Sequence, residues 1–104
     1  MRTLEFNVEA QRLTKKVDCD FENIVSGSIG YLKAVFYFSD EWRDCIKAAS
    51  FWLNGQEYSI LLDGDDACVI PSEALTGNHF LVSVTGVKPG YKIKSTKIKI
   101  RQEV

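Results

Sequence analysis

Apolar residues recur at every second position along most of the chain, the period of strands with one face buried. In the first stretch Leu4, Phe6 and Val8 alternate with Thr3, Glu5 and Asn7. Leu13, Val17, Cys19 and Phe21 then share one phase, and the Ser/Gly-rich run "NIVSGSIG" reads as a turn between strands. "YLKAVFYF" puts Leu32, Ala34, Phe36 and Phe38 on one face. Its other face holds Tyr31, Lys33, Val35 and Tyr37, which is apolar enough for a central strand partly covered on both sides.

The strongest local signal is Asn54-Gly55 between two strand-like runs. Both positions of a type I′ turn need positive φ, which Asn and Gly tolerate. A two-residue turn fixes the register. Leu53 should face Gln56, Phe51 Tyr58, Ala49 Ile60 and Lys47 Leu62. On the opposite face Trp52 should meet Glu57, Ser50 Ser59 and Ala48 Leu61. Phe51, Tyr58, Ala49 and Ile60 make the better core set, so Trp52 is predicted to point outward unless another element covers it.

Further on, "DGDD" is a turn, "ACVI" a short strand, and "PSEAL" one helical turn opened by Pro71. In "HFLVSVTGV", Phe80, Val82 and Val84 alternate against Leu81, Ser83 and Thr85. The closing strand changes its apolar phase between Ile93 and the pair Ile98/Ile100, which predicts a bulge or break near Ser95-Thr96. No stretch holds helical periodicity over three turns. The pattern predicts one all-β domain over residues 1–104, an antiparallel sandwich or barrel of about seven to eight strands with at most one short helical turn near residues 71–75.

A chain of 104 residues buries roughly two-thirds of its unfolded surface, enough for one core without metal or disulfide staples. Cys19, Cys45 and Cys68 are odd in number and lack zinc-knuckle or CxxC spacing, so they read as reduced thiols made in a cytoplasm. "MRTLEFNVEA" has no apolar core of a signal peptide, and no apolar run approaches the ~20 residues of a membrane span. The net charge of −1 predicts neither a nucleic-acid nor a membrane partner. It conceals an uneven distribution. Residues 40–73 hold eight acids against two bases, a net of −6, and residues 88–101 hold five lysines and one arginine without an acid, a net of +6. Two readings follow: self-complementary packing into rings or stacks, or oppositely charged neighbouring strands within one sheet. The second is the simpler.

Candidate chemistry reduces to a few residues. Asp40-Glu41 is an adjacent carboxylate pair, but neighbours on a strand point to opposite faces, and no second pair stands at a defined distance. The pair reads as a solvated strand end, with Trp42 folded back over the rim. Asp63 to Asp66 lack the alternation and the distal Glu of a calcium loop. His79, the only histidine, has no evident triad or metal partners. Cys45 lacks a base. Lys92, Lys94, Lys97 and Lys99 form a charged strand face with only Tyr91 nearby, better explained as edge protection than as a nucleic-acid site. The residues imply no catalytic group, no cofactor and no metal.

The ordered set Asp40, Glu41, Trp42; Lys47, Ala49, Phe51; Cys68, Ile70, Pro71, Glu73, Leu75; and Gly77, Phe80, Val82, Val84 resembles the small immunoglobulin-like domain of tail and baseplate proteins of phages infecting Gram-positive bacteria. It is similar to the N-terminal domain of baseplate upper proteins. The match spans roughly Tyr31 to Ile100. The resemblance implies an immunoglobulin-like β-sandwich acting as a structural, non-enzymatic virion component. Such a component would dock onto other phage structural proteins, would be made in the bacterial host cytoplasm, and could form a homo-oligomer. Trp52, Glu57, Asp40, Glu41 and Trp42 are the expected contact surface. The alternatives are a phage or prophage accessory protein that binds and inhibits a host defence factor, and a carbohydrate-binding module stacking sugars on Trp52, Tyr58 or Tyr37.

Overall fold

The computed structural model describes residues 1–104 and contains nine strands in two sheets. In chain order they are β1 (Arg2–Glu9), β2 (Arg12–Lys15), β3 (Leu32–Phe38), β4 (Ile46–Leu53), β5 (Gln56–Leu61), β6 (Ala67–Val69), β7 (His79–Lys88), β8 (Tyr91–Lys94) and β9 (Ile98–Arg101). One sheet runs β2-β1-β3-β6; the other runs β5-β4-β7, with β8 and β9 end to end along the far edge of β7. The only helical pieces are 3-10 turns at Asp40–Trp42 and Ser72–Leu75. The chain is therefore an all-β sandwich.

Alternation sets the layers. Leu4, Phe6 and Val8 from β1, with Leu32, Ala34 and Phe36 from β3, line the inner face of the four-stranded sheet. Ala49 and Phe51 from β4 and Phe80, Val82 and Val84 from β7 line the other. Phe6 stacks on Phe36 at 5.1 Å between ring centres and meets Phe21 edge-on at 5.5 Å. Full burial of each such side chain stabilises by about 1.5–3 kcal/mol.

The β4–β5 hairpin has the predicted register, with Leu53 opposite Gln56, Phe51 opposite Tyr58 and Trp52 opposite Glu57. Asn54 and Gly55 have φ of 51° and 81°, as a type I′ turn requires. The predicted break at Ser95-Thr96 separates β8 from β9. Ser95 stays on the β7 ladder by donating its N–H to the Val84 carbonyl (3.0 Å) and accepting the Val84 N–H at its hydroxyl (2.9 Å). The extra residue returns Ile98 and Ile100 to the inner side beside Ile93. Thr96 then leaves the ladder. Its N–H donates to the Gln11 carbonyl (2.8 Å) and its hydroxyl accepts the Leu13 N–H (3.2 Å), which ties the two sheets together at the β1–β2 turn.

Three expectations need correction. The sandwich is not wholly antiparallel, because β1 and β3 pair in parallel from Arg2↔Leu32 to Val8↔Phe38. β2 returns antiparallel along one flank of β1, and residues 16–31 form the long connection that carries the chain past β1 to start β3 on the other flank. For the same reason the phase through Val17, Cys19 and Phe21 is not a strand. The strand ends at Lys15, a turn follows, and Val17 is 94% exposed. Nor do the acidic and basic segments pair as neighbouring strands. β8 and β9 both pair with β7, whereas β5 lies at the opposite edge of that sheet.

Candidate docking surface

The five residues expected to share one surface fall into two places. Asp40, Glu41 and Trp42 form the 3-10 corner between β3 and β4. Asp40 pairs with Arg43 at 2.9 Å, both exposed. Glu41 accepts the Ser39 hydroxyl at 2.7 Å, a bond that holds its carboxyl below the usual glutamate value. The Glu41 carbonyl accepts the Tyr91 hydroxyl at 2.6 Å. Each group secures the corner locally.

Trp42 does not belong to a surface. It is fully buried, packs on Phe38 at 5.0 Å, and donates its indole N–H to the Ala10 carbonyl at 2.8 Å. The 3-10 turn swings the ring inward instead of laying it over the rim. Gly86 leaves the room for it, because a Cβ there would stand 2.8 Å from the indole and 3.1 Å from the Cys45 Cβ. The Ala10 N–H donates to the Ser39 hydroxyl (2.9 Å), so both sides of a residue at φ 52° are held.

Trp52 and Glu57 do come together, at the other end of β4. Eight strand residues span roughly 25 Å, so this site and the corner are separate. Odd positions of β5 and even positions of β4 share the outer face. Glu57 accepts the Ser50 hydroxyl at 2.5 Å and the Ser59 hydroxyl at 3.1 Å, and the two hydroxyls are 2.8 Å apart. The Ser50 bond chiefly, with smaller help from Ser59, Lys94 and Lys97, holds the Glu57 carboxyl below its usual range. The Trp52 indole N–H donates to the Ser83 hydroxyl at 3.1 Å, and the Lys97 ammonium sits 3.9 Å from its ring centre. Trp52 is thus half-covered by a cation from the β8–β9 break.

Ser83 and Lys97 were not foreseen at this site. The β4–β5 turn reveals Ser59 opposite Ser50, but the β4–β7 register and the reach of Lys97 across the face are tertiary. Elsewhere Asp63 accepts the N–H groups of Asp65 (2.8 Å) and Ala67 (3.1 Å), and Asp66 pairs with Lys47 at 3.2 Å. Those acids build a turn. His79 bonds only its neighbour Asn78, at 2.8 Å. The cysteines are free, and burial pushes the Cys68 thiol up to about 12.

The strand edges differ sharply. Beyond the β4–β5 turn the Leu62 N–H donates to the Lys47 carbonyl, so even residues of β5 bond β4. By the alternation of antiparallel ladders, Glu57, Ser59 and Leu61 direct their N–H and C=O groups away from the sheet. None of those backbone groups has a partner in the molecule. The other edges are occupied or guarded. β2 carries Arg12 and Lys15 and is bonded by Thr96. β6 has three residues, and both backbone groups of Ala67 are taken by Asp63. The outward residues of β8 and β9 are Lys92, Lys94, Lys99 and Arg101, and the Lys94 carbonyl accepts from Gln11 at 2.9 Å.

No family model, curated protein or solved structure matches the chain.

Proposed function

We propose that the chain is a non-enzymatic assembly module of a bacteriophage tail or baseplate that docks through protein–protein contacts. The ordered motif set from Tyr31 to Ile100 supports the phage setting. The observation that carries the docking role is the open edge of β5, six residues long with no Lys, Arg or Pro. Exposed edges are ordinarily blunted by such residues or kept very short: β2, β8 and β9 carry cations, and β6 has only three residues with Ala67 bonded to Asp63. The carboxylates at the corner and on the outer face are engaged in holding local structure. A sugar-stacking role draws no support from Trp52, since Lys97 lies over its ring. Mass spectrometry of purified virions tests the assembly role. The protein is expected at stoichiometric abundance among tail components, and its absence from virions that package and infect normally would overturn the reading.

A further inference from the structure

We infer that the β5 edge pairs with the β5 edge of a second copy of this chain, in an antiparallel two-fold arrangement centred on Ser59. The inference rests on the assembly reading above and names its surface and its first partner.

Three observations lead to it. The outward backbone groups of Glu57, Ser59 and Leu61 are unsatisfied within the chain, and a strand laid alongside would complete them. The partner edge must itself be open. Of the four sheet edges β5 meets that requirement best, because β2 and β6 are four and three residues long with Leu13 and Ala67 already bonded, β2 also carries Arg12 and Lys15, and β8–β9 carries a row of cations. Among copies of this chain, the edge complementary to β5 is therefore β5. Finally, the strand is compatible with itself. Antiparallel pairing about Ser59 sets Ser59 against Ser59 and Glu57 against Leu61 of the partner, so no like charges face each other. The single charge of the strand is held back on its own sheet by Ser50 and Ser59.

The surroundings agree. Leu61 is 67% exposed, and on the same outer face Ile46 and Val87 form a cross-strand pair that is 71% and 46% exposed. Joining two β5 edges would make one continuous sheet through both molecules and would extend this apolar end of the face toward the partner. A contact built on one short strand is small, so the dimer belongs to the weak, concentration-dependent class of interfaces.

The test is sedimentation or light scattering of the intact protein from about 10 µM to about 1 mM. The mass should rise from 11.8 kDa toward twice that value. Ser59→Lys and Ser59→Glu would each set like charges across the two-fold axis, and each alone should stay monomeric throughout the range. An equimolar mixture of the two should dimerise at least as well as the unmodified protein, because opposite charges then face each other at the axis. Unchanged circular dichroism of both variants checks that the exposed position leaves the fold intact. A variant that unfolds is replaced by Leu61→Lys with Leu61→Glu, each of which should weaken the dimer. A protein that stays monomeric at 1 mM, or variants that associate as the unmodified chain does, would overturn the inference. A monomer that is nonetheless present in virions removes the self-pairing and leaves the assembly role. A dimer absent from virions does the reverse.

Discussion

Trp42 lies at the corner before β4 with none of its surface in solvent, while Trp52, near the end of β4, keeps part of its ring exposed. The residue type is the same, and both indole N–H groups are hydrogen-bonded: Trp42 to the carbonyl of Ala10 in the β1–β2 turn, and Trp52 to a serine hydroxyl one strand away. The difference lies in what surrounds them. Trp42 is enclosed by Phe38, Gly86, Cys45 and the β1–β2 turn, and it joins both sheets. Trp52 rests on one sheet, with a lysine above it. Burial between two layers makes an aromatic structural, whereas lying on one layer leaves it accessible.

The contrast can be broken from the Trp42 side first. Trp42→Ala should cost about 3–5 kcal/mol, from the lost transfer energy and the cavity left at the corner between β3 and β4. Urea denaturation followed by circular dichroism reads this, and a loss below 1 kcal/mol would mean that the corner collapses without strain. Gly86→Ala comes next, at about 1–3 kcal/mol, because the added methyl must displace the indole or Cys45. A Gly86→Ala protein as stable as the original would show that the close approach is not tight in solution. Trp52→Ala should cost only about 1 kcal/mol, the sum of one partly exposed hydrogen bond and a cation–π contact. In that variant the remaining fluorescence should be blue-shifted and poorly quenched by iodide, as suits Trp42. Red-shifted, readily quenched emission would reverse the assignment of the two rings.

The smallest effect concerns pH on the Trp52 face. Glu57 has its carboxyl held below the ordinary value of 4.5, so the folded state favours the ionised form. That stabilisation is present above the ordinary value and is lost as pH falls through the lower folded value. Glu57→Gln should therefore be less stable than the unmodified protein at pH 7, and the gap should shrink as pH falls toward 3. A gap that is constant with pH would show that the Ser50–Glu57–Ser59 contact does not depend on the charge.

Much of the fold was legible because strands announce themselves through a period of two, and a two-residue turn carries its register with it. Asn54-Gly55 alone placed Trp52 opposite Glu57 and Ser50 opposite Ser59. The phase change at Ser95-Thr96 marked the break between β8 and β9. The parallel pairing of β1 and β3 was not legible, since it depends on where a sixteen-residue connection returns and no local pattern encodes that. The burial of Trp42 was missed for a related reason. Its flanking charges suggested a rim, and the space opposite it is made by a glycine 44 positions later. The acidic and basic segments were countable, but their separation onto different edges belongs to sheet order.

By itself, then, the sequence determined the all-β character, the β4–β5 register, the inward set of each long strand and the lack of clustered ligand spacings. Those properties follow from side-chain alternation and turn stereochemistry, which act over a few residues. Only the tertiary structure decided that Trp42 pins the two sheets, that Lys97 covers Trp52, and that the other strand edges are short, partly bonded or lined by cations while β5 is open. Each of these requires residues brought together from distant parts of the chain, and their placement is fixed by packing and by which backbone groups remain without a partner.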